Sequence, residues 1–316
     1  MAATRSPRPR PEEGEREICR GLTRPDVRSI LGIERPGTLV MGIVNVTGDS
    51  FHAASRAPSL DAAVALAERL IAEGADLLDV GGESTRPGAT PVSCEDEHER
   101  VVPLIRELRR RGHHLPVSVD SYKAAVARAA VESGATLVND VSGGLLDGAM
   151  PRAVAELGVP VVVGHLRGTP ATMAAHARYD DVLAEVRDEL AARVDAFVTA
   201  GVVRERILLD PGVGFAKAAP ENLELLRRLG ALATGPLAGL AVVVGASRKR
   251  VVAHAMRAAG LDAADDASDR LAGSLAAAVL AAARGVAIVR AHDVAETRRA
   301  LAVADAVLHE VSPCTR

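Results

Sequence analysis

Polar and ionisable side chains follow directly on short apolar runs, and their types define a chemistry. Asn45 follows LVMGIV, Asp120 follows PVSV, Asn139 and Asp140 follow TLV, and Asp210 follows ILL. His165 closes PVVVG, Ser247, Arg248 and Lys249 follow AVVVGA, and Arg290, His292 and Asp293 follow AIV. The LLDV run, ending near Asp79, leads into GGESTRPG with Thr85 and Arg86. Arg248, Lys249, Arg290 and His292, faced by Thr85 and Arg86, make a cationic corner suited to a phosphate. Asp120 and Asp210 are acceptors that pair well with adjacent N–H donors on a nitrogen heterocycle such as a 2-aminopyrimidinone. Asn45 offers an amide oxygen suited to a Mg2+ ion that keeps most of its waters. The combined reading is an anion at a rim and a heterocycle in a well, with the reaction left open.

Several of these residues also have plain structural readings. Asp120 fits a helix cap and Asp210, before Pro211, the start of a turn. His165 fits a satisfied core histidine. Asp61 is expected as an N-cap, and Asp180-Asp181 suit the positive end of a helix dipole. His113 and His114 precede a strand, which puts them at the opposite, solvated end. Arg109-Arg110-Arg111 read as a charged helix C-terminus.

Positioning such groups requires a repeating frame. The apolar runs Leu39–Val44, Leu77–Val80, Pro116–Val119, Thr136–Val138, Pro160–Val163, Ile207–Leu209, Ala241–Val244 and Ala287–Val289 read as strands. Helical patterns fall between them at Asp61–Glu73, Glu95–Arg111, Tyr122–Ser133, Ala149–Leu157, Asp180–Ala200 and Glu221–Leu229. Arg248–Ala259 with Ser268–Arg284, then Val294–His309, complete the series. Alternating strands and helices predict parallel strands with crossover helices, covered on both faces. Gly74, Gly134 and Gly285, just before strands, suit left-handed helix closures. Eight such units over about 270 residues predict an α/β fold of the (β/α)8 TIM-barrel type, with chemistry at the carboxyl ends of the strands. An open doubly wound sheet would call for a Gly-rich dinucleotide loop after the first strand, and Asn45–Asp49 is not one.

Composition bounds the rest. Of 316 residues, 48% are hydrophobic and 25% charged, which excludes a mainly disordered chain. A net charge of −3 and 2% aromatics give neither a basic field nor stacking platforms, so no nucleic-acid partner is expected. The core must then be built from Ala, Val and Leu. Three scattered cysteines, Cys19, Cys94 and Cys314, give no disulfide framework and point to a reducing cytoplasm. Residues 1–28, rich in Arg, Pro and Glu, are expected to form a disordered tail without a signal-peptide h-region, and 29–316 a single barrel domain. The apolar run Leu271–Ala283, at about 13 residues, is too short to span a bilayer, so no membrane partner is expected.

From about Thr38 to His309 the chain resembles the dihydropteroate synthase family. The resemblance rests on MGIVNVTGDSF at 41–51, DVGGESTRPGA at 79–89, SVDSYKAAVARAAVESGATLVNDVSGG at 118–144 and HLRGTP at 165–170. It continues in LLDPGVGFAK at 208–217, GASRK at 245–249 and RAHDVAET at 290–297, in the family's order. It implies a TIM barrel joining 4-aminobenzoate to 6-hydroxymethyl-7,8-dihydropterin diphosphate. The products are 7,8-dihydropteroate and diphosphate, a step of folate biosynthesis. It also implies Mg2+, a homodimer and a dissociative mechanism in which diphosphate leaves before the arylamine attacks. Matched position by position, Asn45 is the Mg2+ and diphosphate contact, and Asp120, Asn139 and Asp210 are the pterin contacts. Lys249 lies against the pterin near aminobenzoate, Arg290 and His292 anchor diphosphate, Thr85 and Arg86 belong to the second loop, and Phe215 flanks the aminobenzoate ring. Asp120, Lys249, Arg290 and His292 are thus the expected catalytic set.

Departures from the family pattern concentrate in the first loop. Gly48 replaces the usual proline, Ala53 replaces a second aspartate thought to face the developing cation, and the glycine pair that follows is missing. Arg250 stands where many members have serine, and Ala216 and Leu166 are smaller changes. These positions lie where sulfonamides would bind, so altered sulfonamide sensitivity is expected. Two other readings stay open. One is a pterin-binding paralogue with little or no activity, supported by Ala53. The other is a pterin-dependent methyltransferase, which has no need of Ser84-Thr85-Arg86 or Ser247-Arg248-Lys249.

Overall fold

The computed structural model describes residues 27–46, 58–86, 88–261 and 270–308. Residues 1–26, the first loop with Gly48, Asp49, Phe51 and Ala53, the start of the Ser268–Arg284 helix, and His309 lie outside the described residues. In chain order the elements are α1 (Val27–Leu31), β1 (Leu39–Asn45), α2 (Pro58–Ala72), β2 (Leu77–Gly81), α3 (Cys94–Arg110), β3 (Val117–Asp120), α4 (Ala124–Glu132) and β4 (Leu137–Asp140). They continue as α5 (Met150–Leu157), β5 (Val161–Gly164), α6 (Val182–Thr199), β6 (Ile207–Asp210), α7 (Ala219–Arg227), β7 (Ala241–Val244), α8 (Arg250–Ala258), α9 (Leu271–Ala283), β8 (Ile288–Ala291) and α10 (Val294–Leu308). The strands close into a barrel in sequence order, β8 pairing β1, and every pairing is parallel. The expected (β/α)8 fold is therefore the observed one.

Period-two alternation along each strand explains how the barrel places its site. One set of side chains, including Val40, Val44, Leu78, Val80, Val119, Val138, Val163, Leu209, Val244 and Val289, is buried in one cluster with the helices. Each fully buried valine of this layer contributes about 1.5–3 kcal/mol. The alternate set, Leu39, Met41, Leu77, Leu137, Val162, Leu208, Ala241, Val243 and Ile288, forms a second cluster inside the barrel. Val27 and Leu31 of α1 join that second cluster, against the end where the strands begin. Two residues further along the same inward rows the character changes: Asp79 follows Leu77, Asn139 follows Leu137, Asp210 follows Leu208 and Arg290 follows Ile288. The barrel interior is thus apolar at one end and polar at the other, as layered side chains from alternate strands require.

Three local expectations are corrected. The second strand does not end near Asp79 but runs to Gly81, so Asp79 is fully buried inside the barrel. Helix α2 starts at Pro58, and Asp61 lies in its first turn, where the dipole favours a carboxylate, rather than at the cap. Helix α1 begins at Val27, which is buried, so the expected tail boundary at residue 28 falls inside a helix. Other termini follow their chemistry. The Asp181 side chain caps α6 by accepting from the N–H groups of Leu183 (3.0 Å) and Ala184 (3.1 Å). Gly74, Gly134 and Gly285 take φ of 96°, 112° and 81°, the left-handed closures their positions predict. Ala, Val and Leu dominate the core, where Phe197 is the one fully buried large aromatic among the described residues.

Candidate active site

Arg290 is the hub of the polar end. Its Nε donates to Asp79 Oδ2, and its Nη2 donates to Asp120 Oδ2 at 2.6 Å. Asp79 Oδ2 also accepts from Asn139 Nδ2 at 3.0 Å. Strands β2, β4 and β8 supply Asp79, Asn139 and Arg290 to one layer, and β3 adds Asp120 above it. Burial works against the Arg290 charge, yet the carboxylates of Asp79 and Asp120 outweigh it and hold the guanidinium above its ordinary value. The same burial pushes the Asp120 carboxyl up to about 7, although Arg290 opposes the rise.

Asp210 and Lys249 form the second part. Asp210 accepts from the Gly212 N–H at 2.7 Å, and burial raises its carboxyl against the pull of Lys249. Burial lowers the Lys249 amine to about 8, with Asp210 opposing. Lys249 Nζ donates to the Val213 carbonyl and lies 4.4 Å from the centre of the Phe215 ring, a cation–π distance. Phe215 packs on a small apolar floor of Leu166, Met173 and Ala216, so two family departures, Leu166 and Ala216, sit beneath it. Ala216 holds φ at 47°, a strained backbone for a residue with a Cβ.

The third part corrects the expected cationic corner. Ser247, Arg248 and Lys249 do not converge. Arg248, at φ 58°, turns its guanidinium to Asp293, with Nε to Oδ2 at 3.0 Å, while Lys249 faces the well. Ser247 instead holds His292: the His292 backbone N–H donates to Ser247 Oγ at 3.2 Å, and Nδ1 lies 3.1 Å from the same oxygen. With Oγ accepting from the backbone, its hydroxyl proton is available to Nδ1, which leaves Nε2–H as the imidazole's donor. Burial, then the charges of Arg290 and Arg248, lower His292 to about 4, so it is neutral at pH 7. Arg86 adds to that lowering from the loop after β2, which places its charge on the His292 side of the rim. Arg86 is exposed, Thr85 half-buried, and Asn45 exposed at the end of β1. Arg250 is exposed at the start of α8.

Some polar residues at the strand ends belong to the frame. Asp140 is fully buried and accepts from Ser142 N–H (2.8 Å), Ser142 Oγ (2.7 Å) and Gly144 N–H (2.6 Å), so it shapes a turn. His165 is fully buried between Glu189, 3.1 Å from Nε2, and Lys217, 2.9 Å from Nδ1. It is the core histidine of the plain reading. Sequence reasoning gave no site role to two groups. Asp79 carried a signal, a charge on the inward row between Leu77 and Gly81. Lys217 carried none that the strand pattern could reveal.

Among the described residues no three His, Cys, Asp or Glu side chains cluster for a metal. Asn45 contributes a single hard amide oxygen, which fits an ion taking its other oxygens from phosphate and water.

Comparison with known proteins gives this geometry a family. The family model for pterin binding enzymes matches residues 41–292. Dihydropteroate synthase of Escherichia coli K12 is 42% identical over 85% of this chain and 91% of its own length. Folic acid synthesis protein fol1 of Schizosaccharomyces pombe is 42% identical over 86% of this chain, which spans only 36% of that longer protein. Among solved structures, Xanthomonas albilineans dihydropteroate synthase with 4-aminobenzoic acid superposes with a TM-score of 0.76 at 46% identity, covering 86% of this chain and 93% of that one. The chain therefore belongs to the pterin binding enzymes and, within them, to the dihydropteroate synthases.

Proposed function

We propose a division of labour within the dihydropteroate synthase reaction, in which 4-aminobenzoate displaces diphosphate from 6-hydroxymethyl-7,8-dihydropterin diphosphate. The observation that carries it is the Asp79–Arg290–Asp120 contact, which joins an anion-binding group to heterocycle-binding groups in one hydrogen-bonded set. Asp120, Asn139 and Asp210 receive the pterin N–H donors in the well. Arg290 and the Nε2–H of His292 receive the diphosphate, with Thr85 and Arg86 closing on it from the second loop. The methylene C–O bond breaks and the electron pair leaves on the diphosphate, whose growing charge Arg290 stabilises without rearrangement. Asp120 and Asp210 offset the positive charge left on the pterin. The neutral arylamine, placed beside the Phe215–Lys249 contact, forms the C–N bond and releases a proton to solvent.

Asn45 is the residue that would hold Mg2+ together with phosphate oxygens and water. When bound, the ion would neutralise charge on the departing diphosphate. A homodimer is supported by the exposed apolar side chains Leu280 of α9 and Val303 and Val307 of α10, on two neighbouring helices. A cytoplasmic setting is supported by the sparse cysteines. Gly48, Ala53 and Arg250 support altered sulfonamide sensitivity.

The test is diphosphate release by the purified chain with pterin diphosphate and Mg2+, with and without 4-aminobenzoate. Release matched one-for-one by 7,8-dihydropteroate is the expected result. Pterin binding with no product would favour the low-activity paralogue, and Ala53→Asp would then show whether that position is responsible.

A further inference from the structure

Lys217 is buried, and all three protons of an ammonium are used. Its Nζ lies 2.9 Å from His165 Nδ1, 3.1 Å from the Gly212 carbonyl and 3.0 Å from the Phe215 carbonyl. Proton accounting fixes these roles. His165 Nε2 faces the Glu189 carboxylate at 3.1 Å, so Nε2 carries the hydrogen and Nδ1 is the acceptor. Glu189 is itself held by Arg167, Nε to Oε1 at 2.8 Å, which fixes the imidazole's orientation. Burial lowers the Lys217 amine well below its ordinary value, with Asp210 opposing. The three acceptors nonetheless demand three donors, and only the ammonium has them.

The two carbonyls belong to the loop that carries Phe215. That loop lies hard against the residue that follows β5: a Cβ on Gly212 would stand 2.0 Å from the His165 carbonyl oxygen. Its far end is stapled by Asn222, which accepts from the Gly214 N–H at 2.6 Å and donates to the Lys217 carbonyl at 2.9 Å. Between these anchors Ala216 sits at φ 47°. Isolated strain of this kind persists only where surrounding contacts enforce it. Lys249 then reaches the same loop from the other side, at the Val213 carbonyl and over the Phe215 ring.

We propose that Lys217, oriented by the His165–Glu189 pair, is a positioning residue for the arylamine subsite. It fixes the Gly212–Phe215 backbone from behind, so that Phe215 and Lys249 stay in contact and together form one wall of the space the amine enters. This inference rests on the assignment of Phe215 to the aminobenzoate site.

The experiment compares Lys217→Met, Glu189→Gln and Phe215→Ala with the unaltered chain. Hydrogen exchange at the 212–216 amides reads the tether directly. The KM for 4-aminobenzoate and the Kd for pterin diphosphate read its consequence. Lys217→Met is expected to speed exchange there and to raise the 4-aminobenzoate KM by about tenfold, with pterin Kd held within about threefold. Glu189→Gln, on the half-exposed face of α6, should act in the same direction by about threefold, and it decides the matter if Lys217→Met does not fold. Unchanged exchange in both variants, or equal losses for amine and pterin, would overturn the proposal. Phe215→Ala separates the two ideas. If it leaves the 4-aminobenzoate KM unaltered, the subsite assignment fails, while the exchange data still judge the Lys217 tether.

Discussion

Arg290 Nη2 and Asp120 Oδ2 meet at 2.6 Å, at the ends of β8 and β3. The group suited to a departing diphosphate covers the group suited to a pterin N–H. Under the proposed division of labour the heterocycle would replace Arg290 on Asp120 while the diphosphate replaces Asp120 on Arg290.

Asp79 keeps Arg290 in place during that exchange, because its carboxylate lies below both partners and is fully buried. Asp79→Asn removes a buried charge that pairs with Arg290 and orients Asn139. It is expected to cost about 3 kcal/mol of stability, as when one partner of a buried pair is lost. The melting transition should fall, and pterin diphosphate should bind more weakly in calorimetry. A variant with unaltered melting and binding would show that Asp79 only fills space.

The pH dependence follows from two groups. Asp120, at about 7, must be ionised to accept pterin N–H donors, so productive binding rises as pH rises through 7. Lys249, at about 8, must stay protonated to keep its charge in the well, so binding falls as pH rises through 8. The kcat/KM for pterin diphosphate should therefore peak between these values. In Asp120→Asn the limb near 7 should be lost, any acidic limb that remains belonging to the buried Asp210, while the alkaline limb stays, which initial rates across the pH range would check.

His292 offers a spectroscopic reading. It is neutral at pH 7, held at about 4 by burial and by Arg290 and Arg248. A diphosphate at its Nε2–H would favour the imidazolium and raise that value. NMR titration of the His292 ring should show the rise when diphosphate is added, by about one unit for about 1.4 kcal/mol of added attraction. No change would place the anion elsewhere on the rim.

The barrel and most of this site were legible in the chain because inward and outward positions alternate. Asn139, Asp210 and Arg290 stand where an apolar inward row ends, and Asp120 follows the buried Ser118 on its own inward row. Asp79 follows Leu77 in the same way, but its pairing with Arg290 joins β2 to β8 and exists only in the closed barrel. The division of Ser247, Arg248 and Lys249 was not legible, because the positive φ of Arg248 sends neighbouring side chains to different partners. Nor was the Lys217–His165 contact, which joins residues 52 apart and exists only once β5 and β6 are neighbours.

The exchange of partners between Arg290 and Asp120 is tested most directly by coupling. The affinity of 6-hydroxymethyl-7,8-dihydropterin would be measured by calorimetry with and without diphosphate and Mg2+. Each ligand frees the group the other needs, so diphosphate should tighten pterin binding by about tenfold, with pterin tightening diphosphate equally. The coupling should disappear in Asp120→Asn. Independent binding of the two ligands to the unaltered chain would contradict the account.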